Sequence, residues 1–289
     1  MPESPEVQAL ADELDARLRG ASLTAVDVLE YQVVKTRSQQ PSSLVDARVT
    51  AVTRHGKYVD VVFADRHLVV SLGRHGWARW SSVHTRGRDE EADGDKDAGA
   101  RAPGTAAPAL VTLVFDDGLG LELTDSGSWV SLATWVVGAP NDVPSVAALG
   151  PDPADPTYAR ADFDRSFAGR RKQLKAILQE QKSIAGIGNA YSDEILYAAR
   201  LNPVSHASAL TADQLERLFR QTVGVIRTAV SARSGIPLDR LKSAKIAAMK
   251  VHGKAGEPCP DCDDTIRDFA FAGTTAQYCP ACQTDGVIL

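Results

Sequence analysis

The chain has 289 residues, 44% of them hydrophobic and 24% charged, with a formal net charge of −5. Such a length holds one large domain or two modest ones, each with its own core. No apolar run approaches the roughly 20 residues of a membrane span and no signal-peptide pattern occurs, so the sequence predicts a cytoplasmic protein without a membrane partner. All four cysteines lie within the last 31 residues, which argues against a disulfide scaffold.

Near the start, Val7, Leu10, Ala11, Leu14 and Leu18 fall at helical spacing. Ser4 is placed to cap that helix, with Pro5 at its first position and Glu6 in its first turn. Pro2 and Glu3 are left without a part in it. Runs rich in Val and Thr follow: SLTAVDVLEYQVV, RVTAVTRHGKYVDVVFADRHLVVSL, GWARWSS, LVTLVF, GLELTD and WVSLATWVV. Their composition predicts strands, although the alternation of Tyr58, Asp60 and Phe63 with Val59, Val61 and Val62 is imperfect. Asp116-Asp117-Gly118 marks a turn. Residues 84–107 hold almost no apolar side chain larger than Ala and read as a disordered loop.

The second half is helical. RSFAGRRKQLKAILQEQKSI is amphipathic, SDEILYAARL follows a glycine-rich turn, and TADQLERLFRQTVGVIRTAVSA is a long helix whose Thr211 and Gln214 make a capping box. A Pro- and Asp-rich linker at 143–165 separates the halves. Residues 1–150 carry 14 Lys and Arg against 21 Asp and Glu, whereas residues 165–254 carry 16 against 6. A basic segment of this kind meets a polyanion or forms a solvated helical surface.

The tail holds CPDC at 259–262 and CPAC at 279–282, sixteen residues apart. Two such knuckles let Cys259, Cys262, Cys279 and Cys282 converge tetrahedrally on one zinc ion. Four free thiols are the plain alternative, and a redox pair is disfavoured because neither knuckle opens a βαβ unit. With all four positions filled by protein, the zinc is structural.

The order of these parts, with MPESPEV at 1–7, HGKY at 55–58, LGPDP at 149–153, QKSIAGIGNAYSDEIL at 181–196, VHGKAGEPC at 251–259 and YCPACQ at 278–283, resembles the bacterial formamidopyrimidine-DNA glycosylase and endonuclease VIII family. The resemblance covers nearly the whole chain and marks it as a divergent, actinobacterial-like member. It implies an α+β fold: an N-terminal helix and two-layer β-sandwich, then a helix–two-turn–helix domain with a C-terminal zinc-ribbon hairpin. The implied domains are a catalytic one at 1–142, a DNA-binding one at 143–250 and a zinc finger at 251–289. The implied activity is base-excision repair by a monomeric DNA glycosylase with abasic-site lyase activity, acting on damaged or abasic DNA, double- or single-stranded, near the nucleoid. A weakened protein that only binds damage or junctions is the alternative.

In that family the residue matching Pro2 is the nucleophile. Removal of Met1 exposes a secondary amine, and a terminal amine titrates near a pKa of about 8, against about 10.4 for lysine, so roughly a tenth is unprotonated at neutral pH. The residue matching Glu3 moves protons and the one matching Lys57 assists at the lesion's backbone. The resemblance also assigns DNA contacts to Glu6, Arg74, Trp129, Lys182 and Asn189, the last as a phosphate ligand. Three positions depart from the pattern. Thr274 stands where the finger usually has an arginine, Arg74 where a void-filling methionine is usual, and Gly127 with Trp129 where an arginine–phenylalanine wedge is usual. The segment before VHGKAG is short, which implies a reduced lesion-reading cap. His75 and His252 receive no role.

Overall fold

A computed structural model describes residues 1–82 and 107–289. The loop expected at 84–107 lies outside the described residues except for Ala107. Helix α1 is Ser4–Leu18. It is followed by β1 (Leu23–Val28), β2 (Ala51–His55), β3 (Tyr58–Val62), β4 (His67–Ser71), β5 (Gly76–Ser82), β6 (Ala109–Phe115), β7 (Leu119–Asp125) and β8 (Ala133–Val137). Then come α2 (Pro144–Ala147), α3 (Arg160–Phe167), α4 (Leu174–Leu178), α5 (Asn189–Ala198), α6 (Ala212–Arg233) and α7 (Leu238–Ala248). The hairpin β9 (Arg267–Phe271) and β10 (Thr274–Tyr278) and the single turn α8 (Pro280–Gln283) close the chain.

The strands form two four-stranded sheets, β1-β6-β7-β5 and β2-β3-β4-β8, and the fold is the expected α+β class. The Asp-Asp-Gly turn joins β6 to β7, whose residues pair antiparallel, Leu113 facing Leu121. The imperfect alternation at 58–63 has a structural cause. On β3, between β2 and β4, Val59, Asp60 and Val61 are all buried, so side chains on both faces of the strand are shielded from solvent there. Asp60 is accommodated there by His55, whose Nε2 lies 3.2 Å from its Oδ2.

The chain separates into two compact units. One comprises Met1, Leu14–Val52 and Val61–Ala139, and the other Pro2–Glu13, Thr53–Asp60 and Pro140–Leu289. In the first, Leu18, Leu23, Leu44, Val69, Val111, Leu113 and Leu121 are almost wholly excluded from solvent. In the second, Phe163, Phe167, Ile177, Ile187, Tyr191, Ile195, Leu218 and Ile226 pack as one cluster, with Phe163 and Phe167 rings 4.3 Å apart.

Four elements differ from the sequence expectation. The run from Arg165 to Ile184 is broken after Phe167, since Gly169 adopts φ +69° and α4 restarts at Leu174. The strand read into WVSLATWVV begins only at Ala133, because Asp125 gathers the N–H groups of Gly127, Ser131 and Leu132 at 2.8–3.0 Å and curls the intervening chain into a loop. The segment before VHGKAG is not merely short but carries α7. Ser4 does not cap α1. Its hydroxyl instead lies 3.3 Å from Asp152 and 3.1 Å from Arg54, while Glu6 accepts the N–H of Glu3 at 3.1 Å, half of a capping box one residue earlier. The box of Thr211 and Gln214 on α6 is present as expected.

Candidate active site

The second unit brings the two residues left over at the N-terminus to the start of α5. Gly188 sits at its N-cap position, and there a helix presents unpaired N–H groups and the positive end of its dipole. Glu3 fills that site. Its carboxylate accepts the N–H groups of Gly188, Ala190 at 3.0 Å and Tyr191 at 3.4 Å. The approach depends on glycine: Gly186 has φ +87°, and a Cβ there would stand 1.6 Å from the Ser4 hydroxyl. The Ser4 N–H donates to the Gly186 carbonyl at 3.0 Å, which fixes the chain entering α1.

Cations complete the setting. Lys245 on α7 donates to Oε1 of Glu3 at 3.4 Å and to Oε2 of Glu6 at 3.0 Å, and its ammonium lies 4.9 Å from the Tyr191 ring centre. Burial pushes the Glu3 carboxyl up, but Lys245, Lys57 and the N–H groups of Gly188 and Ala190 outweigh it and hold the group below its usual range. Burial and the neighbouring Lys245 charge push the Lys57 amine down, opposed by Glu3. The Lys245 amine is held up by Glu3 and Glu6 in spite of burial. Pro2 is buried and Lys57 is partly exposed.

Lys57 rides on the β2–β3 turn, whose Gly56 has φ +55°. That turn is clamped by Arg54, which pairs with Asp152 of the LGPDP motif at 2.5 Å and donates to the Gly56 carbonyl at 2.8 Å and to Gln8 at 2.8 Å. The motif therefore has a mechanical reason. It ties Lys57 to the chain end that carries Glu3.

Glu6 holds a different place from the DNA contact expected of it. It is 1% exposed, and its oxygens are taken by the Tyr191 hydroxyl at 2.8 Å, the Glu3 N–H and Lys245. A carboxylate so enclosed has nothing left to offer a phosphate, which it would repel in any case. Asn189 opens α5 and donates its amide to the Thr275 carbonyl of the finger hairpin at 2.8 Å. Lys182 is exposed on the turn before it. Beneath Asn189, Lys175 and Asp193 form a fully buried pair at 2.5 Å. The other carboxylate oxygen of Asp193 meets His252 at 2.7 Å, so this histidine is bound to a buried acid.

In the first unit Arg74 and Trp129 lie on two loops that Ser131 ties together, its hydroxyl accepting the Arg74 N–H at 2.9 Å while bonded to Asp125 at 3.0 Å. Arg74 is exposed and Trp129 is 86% exposed, an unusual state for so large an apolar ring.

At the C-terminus the four cysteine sulfurs lie within 4.8 Å of one another. Cys262 is 3.4 Å from Cys279 and from Cys282, and Cys259 is 3.9 Å from Cys282. Four thiolates bound to zinc at about 2.3 Å stand about 3.8 Å apart, so the set fits that ion. A disulfide at about 2.05 Å is excluded. The ion supplies fold rather than chemistry, since its coordination is closed. Ala272 at φ +47° and Gly273 at φ +75° form the two-residue turn of the adjoining hairpin.

The chain matches the formamidopyrimidine-DNA glycosylase N-terminal domain over residues 1–128, the H2TH domain of the same enzymes over 149–239, and a zinc finger found in FPG and IleRS over 256–284. A formamidopyrimidine-DNA glycosylase of a Mycobacterium species (strain JLS) is 30% identical, with 98% of this chain and 97% of that protein covered. The chain belongs to the formamidopyrimidine-DNA glycosylase family. An uncharacterized formamidopyrimidine-DNA glycosylase-like protein of Mycobacterium tuberculosis is 42% identical over 50% of this chain and 91% of its own length. The fold is shared with Lactococcus lactis Fpg bound to abasic-site DNA, with a TM-score of 0.80 at 22% identity over 98% of this chain and 99% of that one. The same protein bound to DNA containing N7-benzyl-Fapy-dG superimposes with a TM-score of 0.82 at 23% identity, covering 98% and 100%. Against this family background, sequence reasoning missed Lys245, Arg54, Asp152 and Tyr191. The spacing of Leu238 and Leu241 behind Pro237 signals α7, but nothing local signals that Lys245 meets Glu3.

Proposed function

We infer that the chain is a base-excision-repair DNA glycosylase with abasic-site lyase activity. The observation that carries this is the Glu3 carboxylate, seated on the N-terminus of α5 and flanked by Lys57 and Lys245 directly beside Pro2. Removal of Met1 makes Pro2 a terminal secondary amine. Glu3, ionised by its surroundings, takes a proton from the Pro2 ammonium. The nitrogen lone pair then attacks C1′ of the damaged nucleotide, and the glycosidic bond breaks with its electron pair leaving on the base, which Glu3 protonates. The remaining N–H proton passes to O4′ as the sugar ring opens to an iminium. The iminium acidifies the 2′ proton, and its loss expels the 3′ phosphate.

The same proposal places Lys57 at the lesion's backbone, Asn189 and Lys182 at phosphates of the basic helical segment, and Arg74 and Trp129 at the disturbed base stack. It divides the chain into a catalytic part at 1–142, a DNA-binding part at 143–250 and the finger at 251–289. It sets a monomer to work on damaged or abasic DNA in the cytoplasm, at the nucleoid. No helix among the described residues is long and apolar enough to cross a membrane. A protein that only binds damage needs no buried carboxylate beside a terminal proline, and is disfavoured for that reason. Borohydride reduction on abasic-site DNA tests the reading: a covalent protein–DNA adduct is expected. The adduct should vanish when an added N-terminal extension locks the Pro2 nitrogen into a peptide bond. An undiminished adduct with that extension would place the nucleophile elsewhere.

A further inference from the structure

Glu3 and Glu6 are each 1% exposed, and both bond to Lys245. Two acidic side chains withdrawn from water and set this close repel each other when charged, and a cation bridging them offsets that repulsion. Arg233 adds a longer ion pair to Glu6, 3.8 Å from its Nε and without a hydrogen bond from that nitrogen, whereas Lys245 hydrogen-bonds both acids. We propose that Lys245 is a positioning residue of this active site: its ammonium bridges the buried side chains of Glu3 and Glu6, and so keeps Glu3 in the proton-accepting form from which turnover starts. The assignment rests on the glycosylase reading for its consequence, though the bridge itself stands on geometry alone. Lys245 acts through Glu3 and needs no contact with DNA.

The groups facing Glu3 from each packed element are known. They are the Pro2 ammonium that removal of Met1 creates, Lys57 on the β2–β3 turn, Glu6 on α1, Lys175 on α4, Tyr191 on α5, Arg233 at the end of α6 reached through Glu6, and Lys245 on α7. The held-down carboxyl of Glu3 agrees with this setting, with Lys245 the foremost of the charges that offset burial. The sign follows. A base works only when ionised, so activity falls as pH drops through the Glu3 pKa, and removing the bridge moves that acid limb to higher pH.

The test uses full-length protein with its zinc, as wild type, Lys245→Met, Lys245→Gln and Lys245→Arg. Single-turnover excision and the 13Cδ shift of Glu3, assigned with Glu3→Gln, are followed against pH. Loss of an opposite charge at this range moves a carboxyl by about one unit or more. An acid limb and a Glu3 titration both raised by that amount in Met and Gln variants, and restored in the Arg variant, are expected. Lys245→Gln serves where Lys245→Met does not fold, because its amide still bonds the carboxylates without a charge. A lower rate or weaker DNA affinity with the limb and the titration unmoved would overturn the proposal. A wild type that excises nothing would instead remove the glycosylase reading, and the Glu3 titration would still decide whether Lys245 holds the carboxylate ionised.

Discussion

A carboxylate as enclosed as Glu3 is stable only because every lost water contact is replaced. Three backbone N–H groups and the Lys245 ammonium take that place. Charged hydrogen bonds of this kind contribute about 1.5–3 kcal/mol, so the residue is structural as well as reactive. Glu3→Gln keeps the shape and one acceptor oxygen but gives up the charge and the proton acceptor. Single-turnover base excision is expected to fall by about 100-fold or more. The melting temperature should drop by several degrees, since a buried Lys245 loses half of its compensation. DNA affinity should change by no more than a few-fold, because Glu3 faces α5 and not a phosphate. Equal losses in binding and excision would contradict that assignment.

At the scale of elements, α1 and α5 meet head to head through a gap that only glycine allows. Gly186→Ala meets both a left-handed backbone and a hard clash with Ser4, a cost of about 1–3 kcal/mol in backbone strain before the clash is counted. Thermal melts should show that loss, and excision should fall with it because the Glu3 seat is displaced. Unchanged stability would mean that the two chain segments part without cost. The finger obeys a different rule. Its apolar contribution is small, with Val251, Ile266 and Tyr197 packed around Cys259 and Cys279. Metal analysis should find one zinc per chain. Chelation should unfold the β9–β10 hairpin and weaken DNA binding, because the Thr275 carbonyl that Asn189 grips hangs from that hairpin. Metal well below one equivalent in protein purified without chelator would contradict the site.

For the whole molecule the question is how duplex DNA is opened. Extruding a nucleotide costs a few kcal/mol, and side chains entering the vacated stack repay part of it. The exposed Trp129 can stack on an unstacked base for about 1–3 kcal/mol, while Gly127 beside it offers no side chain to the base left behind. Trp129→Ala should therefore slow excision from duplex by about tenfold and leave single strands nearly unaffected. Wild-type protein should discriminate weakly among the four opposite bases. Single-turnover rates on one lesion opposite each base, and in single strands, measure both. A strong preference for one partner base would show that another residue does the work of the missing arginine.

The zinc centre, the strand-rich first half and the capped α6 were legible in the sequence, because each is written in local spacing: Cys-x-x-Cys knuckles, Val-rich runs, Thr211 with Gln214. Pro2 and Glu3 stood out for the opposite reason, because the sequence pattern assigned them no part in α1, although Glu3 supplies half of its capping box. Their partners were not legible. Glu3 meets α5 some 185 residues later and α7 some 242 residues later. No periodicity encodes which lysine of a basic segment closes on which acid, and Lys245 and Lys182 look alike in the chain. Burial separates them, leaving Lys182 at the surface and Lys245 locked between two carboxylates. The same holds for Glu6, a helix-start residue in the sequence and the charge partner of α7 in the fold. Local chemistry determined which groups this protein owns, and tertiary packing alone decided which of them are withdrawn from water and so made reactive.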